Sequence, residues 1–477
     1  MKFHSKFCGV FIVLVCLFLP LSAKNIHRYL VSVDSQLTTL SVTAHFADAD
    51  FYSISANSDN SAACTFDMIT GSKVFSPNSS IVRLSGNGAD NTLSYKFDLR
   101  KAAGRSRRAD AYRVGNDLFI PPGMWLWRPD TDPSKNPIEV EFDLPAGIKI
   151  SVPWQKISSN KYRISPSPAD WPSAGAIGKF KTDTVKISGS VMHIAFLDGK
   201  YNTTSAQLRE WLRNAAKSVC NVYGFFPRKE IQAVLIPVGN SREAVPFAQV
   251  VRGGGFSVKF YIDPSRPIEE FISDWTATHE LSHSLLPFID RDQAWLSEGM
   301  ATYYQYILMG RDGRLTEQQT WQRICNGFKK GINNSKGKSL RETTENMGSN
   351  HAYRFVYWSG AALMLMADVE LRQQTGNKES LDRILKKCLP GFLPETRTWT
   401  AMQMMDEMDR LSNTKIFNTI YNQNIHSSDF PIDENWLGQL GIQFKDDLVI
   451  FNNNAPLTYI RKRFLIKDSL KSFWKFH

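Results

Sequence analysis

The stretch His279-Glu-Leu-Ser-His283 is an HExxH motif, and Trp295-Leu-Ser-Glu-Gly299 follows it along the chain. On a helix, residues four apart lie on one face, so His279 and His283 can hold one metal ion. Glu280 is the next residue round, where it can polarise a water on that ion. Glu298 comes after 14 intervening residues and can supply a third ligand. Two imidazoles, one carboxylate and one open position are typical of a catalytic zinc site.

The sequence around the motif predicts two helices, one before and one after the stretch that links His283 to Glu298. Four apolar positions place the motif on one helical face: Phe271, Ile272, Trp275 and Leu281. Pro287 ends that helix, and a second helix is expected from an N-cap near Asp292. Two helices joined by a short turn would bring Glu298 back to the histidines. The alternative is a plain helix hairpin with core histidines and a salt-bridged glutamate.

The periodicity along the chain divides it into three domains. Alternating apolar and polar residues predict an all-β sandwich over residues 24–189. A helix, then strands, then the motif helix predict an α+β domain over residues 190–312. Residues 313–477 are mostly helical, with helices expected at 316–328, 361–373, 381–388 and 400–411, and a polar loop at 333–348.

A glycine triplet precedes an alternating stretch at residues 256–262. Gly253, Gly254 and Gly255 permit a tight bend or the close approach of another backbone. The strand that follows is a candidate edge for pairing with an extended peptide, which makes Phe256 and the three glycines candidate substrate-binding residues. An internal strand behind a flexible loop is the alternative.

The N-terminus has the pattern of an export signal over residues 1–23. Lys2 and Lys6 precede an apolar run at residues 7–21, and Leu21-Ser-Ala23 offers a cleavage site. An uncleaved anchor is the alternative, although the run is short for a bilayer span. We expect a periplasmic or extracellular protein that begins near Lys24, with membrane association only if the signal stays uncleaved.

The bulk composition is that of a folded globular protein. Of 477 residues, 42% are hydrophobic and 22% charged, and 30 Phe and 12 Trp argue against disorder. The net charge is +11, or +9 without the two signal lysines. The basic clusters favour a solvated face over attraction to an acidic surface: Lys101, Arg105, Arg107, Arg108, Arg461, Lys462 and Arg463. No nucleic-acid-binding motif accompanies them.

The cysteines do not form a disulfide framework. Cys8 and Cys16 fall inside the signal, and the remaining four are scattered: Cys64, Cys220, Cys325 and Cys388. One bridge between Cys325 and Cys388 is possible on the sequence alone. None of the four has zinc-ribbon spacing.

The chain resembles the glycyl aminopeptidase family of gluzincin metallopeptidases over most of residues 25–445. Trp295-Leu-Ser-Glu-Gly-Met-Ala-Thr-Tyr-Tyr304 is similar to the family's Trp-x-x-Glu-Gly-x-Thr-x-Tyr-Tyr segment. Further segments also resemble the family: Arg311-Asp-Gly-Arg-Leu, Tyr357-Trp-Ser-Gly-Ala-Ala-Leu, Ser380-Leu-Asp-Arg-Ile-Leu, Leu144-Pro-Ala-Gly and Asp170-Trp-Pro.

The resemblance implies a β-sandwich, a thermolysin-like zinc domain and an all-α C-terminal domain. It implies that His279, His283 and Glu298 bind zinc and that Glu280 is the general base. Tyr357 matches the tyrosine that donates a hydrogen bond to the oxyanion. The expected activity is zinc-dependent hydrolysis of peptide or protein substrates.

Three departures from the family bear on specificity. The link between the histidine motif and Glu298 is shorter than usual, which should leave the site less covered. Gly253-Gly-Gly-Phe-Ser257 replaces a segment whose acidic group can hold a substrate amino terminus. An endopeptidase or a tolerant peptidase is therefore favoured, and aminopeptidase activity stays open. The chain from Gly441 onward is too short for the PDZ domain that many relatives carry.

Other functions are compatible with the same residues. An exported binding protein with a vestigial or structural zinc site is the main alternative, although a structural site has no use for Glu280. Hydrolysis of a non-peptide amide or ester would use the same site. His351 and Arg354 precede Tyr357 and are weaker candidates for substrate contact than for surface roles. The oligomeric state is left open.

Overall fold

The computed structural model describes residues 26–47, 53–56, 59–71, 73–83, 91–105, 111–129, 136–166 and 173–466. The export signal predicted at residues 1–23 lies outside these ranges. So do Arg107 and Arg108 of the first basic cluster and the Asp170-Trp-Pro segment.

The N-terminal part is built from β-sheets that share one core. Its strands are β1 (His27–Val33), β2 (Thr39–His45), β3 (Ser53–Ser55), β4 (Thr65–Thr70), β5 (Lys73–Phe75), β6 (Ile81–Arg83), β7 (Thr92–Asp98), β8 (Tyr112–Val114), β9 (Asp117–Phe119), β10 (Arg128–Pro129), β11 (Ile138–Asp143), β12 (Lys149–Ser151), β13 (Gln155–Lys156), β14 (Lys161–Ile164) and β15 (Ala176–Gly178). Three short helices interrupt them: α1 (Asp59–Cys64), α2 (Leu99–Arg105) and α3 (Pro122–Trp125).

Strand alternation explains how these sheets pack. In β1 the residues Tyr29, Val31 and Val33 are buried while their neighbours face outward, as period-two patterning requires. One eight-stranded sheet has the order β13-β14-β11-β1-β2-β7-β4-β5, and smaller sheets have the orders β10-β3-β6 and β12-β15-β9-β8. Apolar side chains from all three sheets meet in one cluster. The predicted all-β N-terminal domain is confirmed.

The central sheet has the order β16-β17-β18-β20-β19 and carries the metal motif beside one edge. Its elements are β16 (Lys181–Ile187), β17 (Ser190–Phe196), α4 (Ser205–Tyr223), β18 (Glu230–Pro237), β19 (Phe247–Val251) and β20 (Phe256–Ile262). Because β16 pairs with β17, the change from the N-terminal domain to this sheet falls before Lys181. The boundary predicted between residues 189 and 190 falls at the turn between these two paired strands.

The strand after the glycine triplet is internal. All seven residues of β20 are buried, and it lies between β18 and β19. Of the two edge strands, β16 and β19, the one beside the motif helix is β19, which precedes the glycines and runs antiparallel to β20. The prediction that residues 256–262 form the edge is wrong, and the alternative of an internal strand is correct in that respect.

Packing against the N-terminal domain explains the glycines. A Cβ at Gly254, whose φ is +72°, would lie 2.4 Å from Cγ2 of Ile164. A Cβ at Gly255 would lie 1.9 Å from the carbonyl oxygen of Pro153. Only residues without a side chain permit this close approach of the β19–β20 turn.

The helix predicted to carry the motif is broken in two. The structure has α5 (Ile268–Ser273) and α6 (Thr276–Ser282), followed by a 3-10 turn at His283–Leu285. The side chain of Asp274 accepts from the backbone N–H of Thr276, which stabilises the start of α6. A second 3-10 turn, Arg291–Gln293, is capped by Asp290 rather than by Asp292 and leads into α7 (Ala294–Arg311).

The C-terminal part is helical as predicted, with a hairpin near its end. It contains α8 (Glu317–Ile332), α9 (Leu340–Glu345), α10 (Tyr353–Gln374), α11 (Leu381–Phe392), α12 (Ala401–Ser412), α13 (Ile416–Asn424), α14 (Glu434–Gln439), β21 (Ile442–Lys445), β22 (Leu448–Phe451) and α15 (Thr458–Arg463). The short α9 lies inside the predicted loop at 333–348. One apolar core continues from the central sheet into these helices.

The structure also bears on the bridge between Cys325 and Cys388 and on the basic cluster around Arg461. Cys325 and Cys388 are buried free thiols, so the possible bridge between them is not formed. Arg461 is not part of a solvated basic face, because it is 1% exposed and its guanidinium lies 4.1 Å from the centroid of the Phe451 ring. Within the described residues, none of the helices is long and apolar enough to cross a bilayer.

Two glycines let α7 and α10 approach closely. A Cβ on Gly299 would lie 2.5 Å from Cα of Gly360. A Cβ on Gly360 would lie 2.0 Å from the carbonyl oxygen of Trp295. This contact matters for the site because α7 carries Glu298 and α10 carries Tyr357.

We predict that Gly360→Ala lowers the free energy of unfolding by about 1–3 kcal/mol, because the added methyl group forces α7 and α10 apart. Chemical denaturation measures this change. Gly391→Ala is the matched control, since Gly391 lies in α11 with no atom within 4 Å of its added Cβ. That control should be neutral or stabilising by at most about 1 kcal/mol. Equal effects of the two substitutions would contradict the close packing.

Candidate metal centre

The two histidines of the motif and Glu298 converge on one point. Nε2 of His279 lies 3.3 Å from Oε2 of Glu298, and Nε2 of His283 lies 3.6 Å from the same oxygen. One ligand atom from each residue lies within 4.8 Å of the other two. The three side chains come from α6, the 3-10 turn that follows it and the first turns of α7. The structure therefore brings together the three predicted metal ligands.

These distances fit a tetrahedral zinc ion. Zinc binds imidazole nitrogen and carboxylate oxygen at about 2.0–2.2 Å, which separates neighbouring ligand atoms by about 3.4 Å at tetrahedral angles. The nitrogen–oxygen separations at Glu298 are close to this value. Two imidazoles and one carboxylate also leave a coordination position for solvent or substrate, as catalytic sites require.

Gln305 supports one of the predicted ligands, and no sequence motif singles it out. Its Oε1 lies 2.9 Å from Nδ1 of His279, so a proton on Nδ1 leaves Nε2 free to bind a metal. Gln305 is 2% exposed. It lies seven residues after Glu298 on α7, which is two helical turns along the same face. The seven-residue spacing from Glu298 was the sequence signal that could have identified Gln305 as a residue near the site.

The charges at the site differ between the two histidines. Burial opposes protonation of His279, but the neighbouring Glu298 and Glu280 carboxylates raise its pKa, so a metal at Nε2 would have to replace a proton. Burial lowers the pKa of His283 to about 3, so its imidazole is neutral at physiological pH. Burial opposes ionisation of Glu298, but the neighbouring histidines His283 and His279 hold its pKa below the ordinary value. A neutral imidazole and an ionised carboxylate are the forms that bind zinc.

Glu280 faces the edge strand β19. Its Oε2 accepts a hydrogen bond from the backbone N–H of Val250 at 2.8 Å. Burial raises the pKa of Glu280 to about 7, with the Glu298 carboxylate adding to the increase and His279 opposing it. A carboxyl group with such a pKa can both accept and release a proton near neutrality.

Tyr357 reaches the site from α10. Its ring stacks with that of His279 at a centroid distance of 6.2 Å, and its hydroxyl lies near the Glu298 carboxylate. Burial and the Glu298 charge raise the pKa of Tyr357 well above its ordinary value, so the hydroxyl stays a proton donor. The Trp275 ring also contacts His279 edge-on, at a centroid distance of 5.3 Å.

The remaining candidates take part in packing or lie on the surface. Phe256 is 3% exposed and packs beneath the guanidinium groups of Arg228 and Arg252. His351 and Arg354 are exposed, in the turn before α10 and in its first turn. The structure thus gives Phe256 and the glycine triplet packing contacts, and it places the exposed Phe247 and Gln249 of β19 at the sheet edge nearest Glu280.

No family model and no curated protein matches the sequence. In structure, the chain is similar to an aminopeptidase N family protein from Idiomarina loihiensis, with a TM-score of 0.67, 14% identity, and coverage of 88% of this chain and 79% of that one. An M1 zinc metallopeptidase from Deinococcus radiodurans, bound to a Tyr-Ser-Ala substrate, gives a TM-score of 0.57 at 12% identity, covering 86% and 95%. Yeast LTA4 hydrolase in complex with bestatin gives 0.56 at 12%, covering 87% and 69%.

These similarities define the fold. The chain has the multidomain fold of these M1 zinc metallopeptidases, and the predicted multidomain architecture is confirmed at the level of the fold. The order of an all-β part, a central sheet with the HExxH motif and a helical C-terminal part agrees with this class.

Proposed function

We propose that this protein is an exported zinc metallopeptidase that hydrolyses peptide bonds. The observation that carries the proposal is that two imidazoles and Glu298 meet beside Glu280, a buried carboxyl group that is not one of the three predicted ligands. A structural metal site needs no such carboxylate, whereas a hydrolytic site needs a base. The tripeptide bound to the Deinococcus radiodurans relative supports peptides as the substrate class.

The residues present support each part of the reaction. When bound by His279, His283 and Glu298, zinc supplies a Lewis acid that polarises the scissile carbonyl and acidifies water. Glu280 takes the proton of the attacking water and passes it to the leaving nitrogen. Tyr357 donates a hydrogen bond to the oxygen on which negative charge develops.

We propose that the substrate backbone binds along the edge strand β19. Its outer side carries no neighbouring strand in the part of the chain described, so an extended peptide can pair with it. The Val250 N–H bond to Glu280 places this edge directly beside the base. Phe247 is 52% exposed on the same strand and is available to contact a substrate side chain.

We predict that Glu280→Gln abolishes peptide hydrolysis while zinc stays bound, because the amide keeps the shape of the side chain but cannot accept the proton. Peptide cleavage and metal content are measured on the same preparation. Chelation should abolish wild-type cleavage, and added zinc should restore it. Glu269→Gln is the matched control, since Glu269 is exposed on α5 and should be dispensable. Full activity of Glu280→Gln on any peptide would refute the proposed base, and stoichiometric zinc without wild-type turnover would favour a binding protein.

For Tyr357→Phe we expect turnover to fall by on the order of 10²–10³ with little change in KM, because the lost hydrogen bond forms chiefly in the transition state. Steady-state kinetics measure both constants. Tyr353→Phe, one turn earlier on α10 and 42% exposed, is the control and should behave as wild type. A Tyr357→Phe enzyme with unchanged kcat would rule out the oxyanion role.

Export is supported by the basic and apolar residues at the N-terminus. We expect the mature protein to begin near Lys24 and to be recovered outside the cytoplasm. N-terminal sequencing of the protein from fractionated cells tests this. Recovery of the chain in the cytoplasm with residues 1–23 attached would contradict it.

A further inference from the structure

The second metal-ligand residue follows the end of its helix. α6 ends at Ser282, and His283 begins a 3-10 turn. In a continued α-helix, the carbonyl of His283 would accept from the N–H of residue 287, but Pro287 has no N–H. The backbone N–H of Leu286 donates to this oxygen instead, at an N···O distance of 3.4 Å that is long for a hydrogen bond. The backbone therefore holds the His283 carbonyl through a long hydrogen bond.

Arg252 supplies donors at this point. Its guanidinium donates to the carbonyl oxygen of His283 and, at 3.2 Å, to that of Leu286. The Arg252 side chain is 6% exposed. It directly follows β19, so it ties the end of the metal motif to the strand that contacts Glu280.

A glutamate from the C-terminal part holds Arg252 in place. Oε1 of Glu395 accepts from Arg252 at 3.1 Å and also from Arg228. Arg228 in turn donates to the carbonyl of Leu286 at 3.2 Å. Both guanidinium groups lie over the ring of Phe256, at 5.7 and 5.9 Å from its centroid. A buried arginine with these partners has a fixed position.

The segment around Glu395 also pairs with the link between the motif and Glu298. The N–H of Trp399 donates to the carbonyl of Phe288 at 2.8 Å, and the N–H of Asp290 donates to the carbonyl of Trp399 at 2.9 Å. A parallel β-bridge joins Ile289 to Trp399. The link between the motif and Glu298 is therefore held by the two arginines at Leu286 and by Trp399 at Phe288 and Asp290.

We propose that Arg252, held by Glu395, is a positioning residue for the metal centre. By fixing the His283 carbonyl, it keeps the His283 imidazole directed at Glu298 in the geometry that binds zinc. This inference rests on the proposed zinc site. It predicts that removing the Arg252 donors weakens zinc binding itself, in addition to any effect on folding.

The test measures the zinc dissociation constant of the full-length protein by competition with a chelator. Arg252→Met removes every donor and should raise the Kd for zinc on the order of 10–100-fold. Arg252→Lys keeps the charge but not the forked geometry and should give a smaller increase. If Arg252→Met does not fold, Arg252→Lys alone provides the zinc-binding test. Thermal unfolding of the zinc-free proteins is recorded in parallel.

Arg372→Lys is the matched control. Arg372 is also buried and paired with a carboxylate, that of Asp368, but its other contact is the Phe464 ring. This substitution should lower the unfolding temperature and leave the Kd for zinc unchanged. The absorption spectrum of the cobalt-substituted protein should change in both Arg252 variants and stay unchanged in Arg372→Lys.

Two results would overturn the proposal. If both Arg252 variants bind zinc as tightly as wild type and lose only thermal stability, Arg252 is a core residue without a role at the metal. If the wild-type protein binds no zinc, the proposed function and the positioning role both fail. The wild-type titration thus distinguishes the failure of one from the failure of both.

Discussion

The packing of α6 against α7 is the constraint on which the site depends. It brings an oxygen of Glu298 to within 3.3 and 3.6 Å of two imidazole nitrogens in a buried setting. Without an ion, a carboxylate and two desolvated rings at this spacing are costly to assemble, and a bound cation would compensate for that cost. The rest of the chain supports this arrangement: the close Gly299–Gly360 contact fixes α10 against α7, and Arg252 holds the far end of the motif.

The meeting of His279, His283 and Glu298 was predictable because its signal is local. The spacing of His279 and His283 depends only on helical geometry, and Glu298 lies at the start of the next helix. The domain order was also predictable, since the period of the apolar residues changes from two to 3.6 along the chain. The all-β domain, the central sheet and the helical C-terminal part follow these changes of period.

The interactions that were missed depend on contacts between distant parts of the chain. Whether β19 or β20 forms the edge of the sheet depends on pairing order, and both segments can alternate. The start of α10 was hidden by the aromatic residues at 353–358, which have weak helix propensity and fit a core equally well. Arg252 and Glu395 are 143 residues apart, and neither has a motif that predicts their meeting.

A zinc-edge X-ray absorption spectrum of the purified full-length protein tests the central claim most directly. The account predicts one zinc per chain, with scattering from two imidazole rings and from oxygen ligands at about 2.0–2.2 Å. A spectrum with sulfur ligands, or with fewer than two imidazoles, would contradict the assignment of His279, His283 and Glu298 as the metal centre.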